Sequence, residues 1–367
     1  MSAPPTAVDT SHGMANENRV LVVRLSAMGD IIHALPAITA LRQARPDLKI
    51  GWLVEERWVE LLCARESDRF APCSAAKPLA DWVHTTNFAA WRRALFSGET
   101  WHEAANLYRE VRNRQYQVAL DLQGAIRSAL MAAASGAGMR VGAAQPRERA
   151  AQMFYTRSVA VQGAHVVQHA LSLTSEVAGR ELEYVEPCFP VDGAAERWAA
   201  EFTAAGGGKP LAILNPGAGW GAKCWPARSF GAVARSLAER GMAVAVNYGP
   251  GEEALAQEVQ RSSGGVATPV NCSVGELMAL TRRAGLFIGG DTGPMHLAAA
   301  LRVPVVALFG PTRPERNGPF ATRNVVLRSA DSRDDTSHAS RADAGLVAIT
   351  PEAVLTAARG LLEGCNG

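Results

Sequence analysis

Short apolar runs alternate with stretches of helical spacing along most of the chain. The first run, residues 19–25, reads Arg-Val-Leu-Val-Val-Arg-Leu and predicts a buried parallel strand. Residues 26–30 read as a loop, and 31–44 carry helical periodicity with Pro36 inside. A proline lacks the amide donor, so this pattern places Pro36 in the first turns of its helix. Strands are also expected at 49–54, at 117–122 (ending in Gln123-Gly124) and at 140–143. Residues 88–114, rich in Trp, Arg and Glu, have helical spacing.

The second half repeats this grammar. Strands are expected at 211–215, 243–248, 286–290 and 303–309. Helices are expected at 230–240, 252–262, 274–284 and 294–301. Between the halves the character changes, with Pro187, Pro190, a small helix near 194–204 and the run Gly206-Gly-Gly-Lys-Pro210. The expected organisation is an extension at 1–18, an N-terminal domain at 19–190, a linker at 191–210, a C-terminal domain at 211–350, and a final helix and tail at 351–367. The final helix, 351–362, suits either domain. Alternating strands and helices imply an α/β fold of two Rossmann-like parallel-sheet domains, with a ligand cleft between them.

Composition narrows the function. The 367 residues carry a net charge of only +2, with no basic stripe, which argues against a nucleic-acid partner. Six scattered cysteines, none in CxxC spacing, read as free thiols in a reducing compartment rather than as disulfides or a zinc site. No run approaches about 20 apolar residues, so no membrane span is expected. The first 18 residues lack a basic start followed by an apolar stretch, so they do not read as a secretory signal.

Four turns carry candidate chemistry. Asp291-Thr-Gly-Pro-Met-His296 lies between an expected strand and an expected helix, where free backbone N–H groups and the helix dipole favour phosphate. Gly293 allows close approach there, Pro294 suits the first helical turn, and His296 can face the same ligand. An ordinary helix cap by Asp291 or Thr292 is the plainer alternative. The loop from Asn215 to Pro226 holds three glycines and Lys223, a cation suited to a diphosphate, although the Walker order is absent. It also reads as a plain surface loop. Tyr248-Gly-Pro-Gly-Glu-Glu253 places carboxylates where ribose hydroxyls are often bound, or where a helix dipole favours acids. Ser26-Ala-Met-Gly-Asp30 puts Asp30 at the matching turn of the first domain, either as a general base or as a helix cap.

Taken together these residues resemble a known family. Arg24-Leu-Ser-Ala-Met-Gly-Asp-Ile-Ile-His-Ala-Leu-Pro36 looks like the opening motif of glycosyltransferase family 9, the lipopolysaccharide heptosyltransferases. Asp291-Thr-Gly-Pro-Met-His296, followed by Leu308-Phe-Gly-Pro-Thr312, looks like its C-terminal signature. Trp52-Leu-Val-Glu-Glu56, Trp91-Arg-Arg-Ala-Leu-Phe-Ser97, Asp121-Leu-Gln-Gly124 and Phe154-Tyr-Thr-Arg157 are similar to the heptosyltransferase I branch. The resemblance spans roughly residues 19–362. It implies a GT-B architecture, with acceptor on the N-terminal domain and donor on the C-terminal one. It implies inverting, metal-independent transfer of heptose from ADP-L-glycero-D-manno-heptose to Kdo-lipid A, with no cofactor beyond the donor substrate.

Carried over residue by residue, Asp30 matches the catalytic base and Lys223 the diphosphate lysine. The ribose glutamate falls on Glu252 or Glu253, with Glu253 preferred. Asp291, Thr292, Gly293 and His296 match the donor signature. Arg92, Arg93, Gln123, Arg127 and Arg147 are the acceptor candidates. Where branch members can carry paired threonines, this chain has Ala218 and Gly219, so phosphate contacts there fall to backbone N–H groups.

The alternatives are heptosyltransferase II or another family 9 enzyme with a different acceptor, and a nucleotide-binding module without transfer activity. An oxidoreductase is disfavoured because no GxGxxG follows the first strand. A lipid acceptor implies a cytoplasmic protein in transient contact with the inner membrane's cytoplasmic face. Trp91, Phe96 and Trp101 with the acceptor-candidate arginines are the expected contact surface, or else simply the faces of an amphipathic helix. No pattern speaks to oligomeric state.

Overall fold

The computed structural model describes residues 18–332 and 343–363. The expected extension at 1–18, except Asn18, and the tail at 364–367 lie outside the described residues. The first sheet has strands β1 (Arg19–Val23), β2 (Lys49–Glu55), β3 (Trp82–Thr86), β4 (Val118–Asp121), β5 (Met139–Ala143) and β6 (Arg157–Val159). They run parallel in the order β3-β2-β1-β4-β5-β6. The second sheet has β7 (Leu211–Asn215), β8 (Ala243–Asn247), β9 (Ala267–Val270), β10 (Ala284–Gly290), β11 (Val305–Phe309) and β12 (Asn324–Arg328). Its order, β12-β11-β10-β7-β8-β9, is the same doubly wound pattern read from the other edge. Strand order reverses between β1 and β4 and again between β7 and β10, and loops leaving the carboxyl ends of those strands meet there.

The helices flanking the first sheet include α1 (Met28–Ala44), α2 (Phe88–Arg93), α3 (Gly98–Asn113), α4 (Ile126–Ala134) and α5 (Val166–Ala178). Every residue of α1 from Met28 to Leu41 is buried except Asp30, as suits a helix apolar on all sides. It starts three residues earlier than the periodicity indicated, so Asp30 belongs to its first turn and not to a loop. Pro36 lies two turns in, not in the first turns. Burial on every side offsets the roughly 3 kcal/mol that a mid-helix proline costs. The expected helix at 88–114 is two helices. Asn87 caps α2 by accepting from the Ala90 N–H (3.1 Å), and Ser97 caps α3 by accepting from the Glu99 N–H (3.2 Å).

The second half continues with α6 (Gly193–Ala205), α7 (Ala227–Glu239), α8 (Glu253–Ser262), α9 (Val274–Thr281) and α10 (Gly293–Ala300). Helix α6 buries Ala195 and Ala199 in one cluster with Leu280 of α9. Its Glu196 pairs with Arg282 (2.7 Å) and Arg283 (2.5 Å). The closing helix, Pro351–Glu363, packs on the second half, burying Val354, Ala358 and Leu361 beside Phe230 and Leu237. The two halves touch directly. Leu277, Met278 and Leu297 join the core cluster of the first half, and Glu60 accepts from the Gly275 N–H at 2.7 Å. Helices α1 and α10 meet at their N-terminal ends, where a Cβ on Gly293 would lie 2.7 Å from Met28. The lack of a side chain at Gly293 thus also lets helix approach helix. The five described cysteines are free.

Candidate active site

Asp30 is presented by the first turn of α1, just past the carboxyl end of β1. Its carboxylate accepts from the Ala27 N–H (3.2 Å) and pairs with Arg24 (2.9 Å). Arg24 is nearly buried. It also donates to the carbonyls of Asp30 (3.2 Å) and Leu122, so it ties β1's exit to β4's. The Asp30 side chain keeps 39% of its surface exposed, and it opens on a cavity of about 490 Å³. Gln123, Arg147 and His169 line that cavity from the first half, with Arg316 and Asn317 from the second. Gln123 is fixed by accepting from the Leu25 N–H at 2.9 Å. Beneath it, the buried Asp121 accepts from the N–H groups of Gln123 and Gly124 and from the hydroxyls of Ser128 and Tyr155. Burial nonetheless pushes the Asp121 carboxyl up.

On the facing switch point, Lys223 comes from a short helical turn, Gly221–Lys223, after β7. Its ammonium pairs with Asp291 Oδ2 at 2.6 Å and lies 5.0 Å from the Trp220 ring centre. Asp291 Oδ1 faces His296 Nε2 at 3.1 Å. Burial opposes the Asp291 charge, but the His296 hydrogen bond and the charges of His296 and Lys223 outweigh it. They hold the carboxyl well below the usual range. The turn that begins the Lys223 loop is set by side-chain amides. Asn247 donates to Asn215 (2.6 Å), and Asn215 donates to the Gly217 carbonyl (2.9 Å). Thr292 is the N-cap residue of α10, with its hydroxyl 3.4 Å from the Asn215 amide.

The structure thus brings together Asp30, Gln123 and Arg147 on one side and Lys223, Asp291, Thr292, Gly293 and His296 on the other. The neighbouring glutamates divide differently from the sequence-based preference. Glu252 accepts from the Gly249 N–H (2.8 Å), and its carboxylate lies over Gly217, where any Cβ would collide with it. Glu253 is exposed and only accepts from the Gly251 N–H at 3.2 Å. Glu252, not Glu253, faces the Lys223 loop. Arg127 does not line the Asp30 cavity; it pairs with Glu55 (3.7 Å) and stacks over Phe88 (4.7 Å). Arg92 and Arg93 are exposed at the end of α2 and do not line it either.

Three residues of the site escaped the sequence argument. Arg24 stands in the first motif, but its role depends on β4 lying beside β1. His33 is one turn beyond Asp30, a spacing that could have flagged it. Arg316 lies well past the second signature, in a short turn of helix, Pro314–Asn317. Among the described residues no cluster of three or more His, Cys, Asp or Glu side chains is suited to a metal ion.

With this geometry in place, the comparisons with known proteins agree with one another. The family described as Glycosyltransferase family 9 (heptosyltransferase) matches residues 104–344. Lipopolysaccharide heptosyltransferase 1 of Pseudomonas aeruginosa is 31% identical over 325 residues, spanning 85% of this chain and 84% of its own. A family 9 glycosyl transferase structure from Veillonella parvula superposes with a TM-score of 0.80 at 22% identity, covering 95% of this chain and 98% of that one. The Escherichia coli heptosyltransferase WaaC with ADP gives 0.75 at 24% identity, covering 94% and 99%. These two likenesses establish the GT-B fold implied by the sequence resemblance.

Proposed function

The chain belongs to glycosyltransferase family 9, the heptosyltransferases, and from that premise we propose that it transfers heptose from ADP-L-glycero-D-manno-heptose to Kdo-lipid A. Family membership makes it a glycosyltransferase of lipopolysaccharide core synthesis; the donor, the acceptor and the stereochemistry are the proposal. One observation carries it. Asp30 opens into a cavity walled by both halves, and the Lys223–Asp291–His296 group occupies the switch point between β7 and β10 of the other sheet.

In this mechanism Asp30 is the general base, held in place by Arg24 and the Ala27 N–H. It takes the proton of an acceptor hydroxyl, which attacks the anomeric carbon as ADP leaves from the opposite face. That single displacement inverts the centre. Lys223 and the N–H groups at the start of α10 stabilise the charge growing on the diphosphate, so no metal is required. Glu252 takes the ribose hydroxyls. Arg24, Arg147 and Arg316 give the Asp30 cavity a cationic wall suited to acceptor carboxylates.

Among the described residues no helix is long and apolar enough to cross a membrane. We place the enzyme at the inner membrane's cytoplasmic face, docked through the α2–α3 hairpin. Phe96 and Trp101 project from that hairpin beside Arg92 and Arg93.

The test offers ADP-heptose with Kdo-lipid A and, separately, with an already heptosylated acceptor. ADP release and product are expected with Kdo-lipid A alone, and EDTA should leave the rate unchanged. Turnover confined to the heptosylated acceptor would reassign the acceptor, and loss of activity in EDTA would overturn the metal-free mechanism.

A further inference from the structure

One polar chain crosses from the donor side to the helix that carries Asp30. Lys223 holds Asp291, Asp291 holds His296 Nε2, and His296 Nδ1 lies 3.1 Å from His33 Nε2. We propose that His33 is a positioning residue of the donor site, fixing the ring and tautomer of His296 from the opposite domain and, through it, the Asp291 carboxylate that holds Lys223. The proposal rests on the donor reading above.

The argument begins at His296. Its Nε2 faces a carboxylate and so carries a proton. Its Nδ1 is then a buried polar atom that needs a partner, and His33 supplies it. With both nitrogens engaged, the ring cannot turn over without breaking two hydrogen bonds. The two rings meet nearly edge to face, with centroids 4.2 Å apart. Gly29, on the same helix as His33, has no room for a Cβ because the His296 ring lies against it. Helix α1 is therefore pressed onto His296 at two positions.

Among the described residues His33 makes no other hydrogen bond. Its Nδ1 is buried without a protein partner, which a residue kept for packing alone would not tolerate well. Its remaining ring neighbour, His165, stands edge-on with centroids 5.3 Å apart. His165 is spoken for: Nδ1 accepts from the Val167 N–H (3.2 Å), and Nε2 therefore donates to the Gly318 carbonyl (3.0 Å). Among the described residues, the hydrogen bond that accounts for a histidine at position 33 is the one to His296.

The experiment compares His33→Phe, which keeps an aromatic ring without nitrogen, with His33→Gln, whose side-chain amide can reach where Nε2 lies. ADP affinity is measured by calorimetry, and donor and acceptor KM by steady-state assay. His33→Phe should weaken ADP and raise donor KM by about tenfold, the usual scale for one buried hydrogen bond, with a smaller change in acceptor KM because His33 also lines the Asp30 cavity. His33→Gln should recover most of that loss. The proposal fails if His33→Phe binds ADP like the wild type, or if the two variants are equally impaired, which would mean packing alone. If His33→Phe does not fold, His33→Leu stands in under the same criteria. Lys223→Ala separates the two levels. If it too leaves ADP affinity unchanged, the donor reading is wrong; if it weakens ADP while His33→Phe does not, only the role of His33 is wrong.

Discussion

Asp30 sits in the first turn of α1 with its carboxylate oriented by Arg24 and by the Ala27 N–H, yet still open to the cavity. Orientation plus access is what a general base needs. Asp30→Asn, which keeps the shape and loses the base, should therefore lower kcat by about 10²-fold or more while leaving ADP affinity near wild type; near-normal turnover in steady-state assays would dismiss the role. The histidines make a second prediction. Burial, with His296, His165 and Arg24 close by, holds His33 well below the ordinary imidazole value of 6.5, against the opposing pull of Asp291, and burial likewise lowers His165. In the unfolded chain both take up protons below about pH 6.5, while the folded protein resists doing so. Stability should therefore fall as pH drops from about 7 towards 5, by up to about 1.4 kcal/mol per pH unit for each such group. Urea melts across that range should show a shallower fall in His33→Gln than in the wild type; equal slopes would assign the acid sensitivity elsewhere. At this scale the sequence was informative where one residue follows one apolar run, as with Asp30, Lys223 and Asp291. It could not separate Glu252 from Glu253. Adjacent acids at a helix start look alike until the Gly217 loop folds over one of them, and His33 acquires its partner only when two sheets meet.

Elements were legible in proportion to how deeply both faces are buried. The strands whose apolar runs stood out, β1, β2, β4, β5, β7, β8, β10 and β11, are interior to their sheets. The four that did not, β3, β6, β9 and β12, are the sheet edges. Edge strands such as Trp82-Val-His-Thr-Thr86 and Ala267-Thr-Pro-Val270 carry polar residues or proline because a neighbour is missing on one side. Helix α5 was hidden by its hydroxyl residues. In the fold Ser172, Thr174 and Ser175 donate to carbonyls one turn back and so cease to compete with the helix. Helix α9, by contrast, begins with a readable capping box. Ser273 Oγ accepts from the Glu276 N–H (3.2 Å), and Glu276 accepts from the Ser273 N–H (2.7 Å). The Gly275 N–H in the same turn is taken by Glu60 of the first half. Ser273→Ala should cost about 1 kcal/mol in urea unfolding, with kinetic constants unchanged because the cap lies outside the site. A loss below a few tenths of a kcal/mol would show that Glu60 and packing already suffice.

For the whole molecule, parallel topology fixes which end does the work. Every loop that leaves a strand's carboxyl end emerges on the same edge of its sheet, so the turn carrying Asp30 and the start of α2, two residues after β3, share one edge. The α2–α3 hairpin therefore lies on the same edge of the sheet as Asp30, two strands away from it. It is poorly buried: α3 buries only Val111, Phe96 is fully exposed and Trp101 is 66% exposed, while Trp91 is held by its hydrogen bond to Glu103 (2.7 Å). A net charge of +2 gives the molecule little long-range pull toward an anionic bilayer, so the proposed membrane contact rests on a local patch. Arg92 and Arg93, free of any role in the cavity wall, are placed to provide it, each basic side chain near such a surface contributing about 1 kcal/mol. Arg92→Glu with Arg93→Glu should then weaken binding to vesicles of phosphatidylglycerol and phosphatidylethanolamine by at least about tenfold. The same variant should raise KM for vesicle-borne Kdo-lipid A and leave ADP affinity and Tm at wild-type values. Phe96→Ser with Trp101→Ser should weaken binding in a way that added salt does not mimic, since it removes apolar contact rather than charge. Vesicle binding that is the same in the wild type and both double variants, or absent in all three, would remove this hairpin as the membrane contact and leave its exposed aromatics without a docking role.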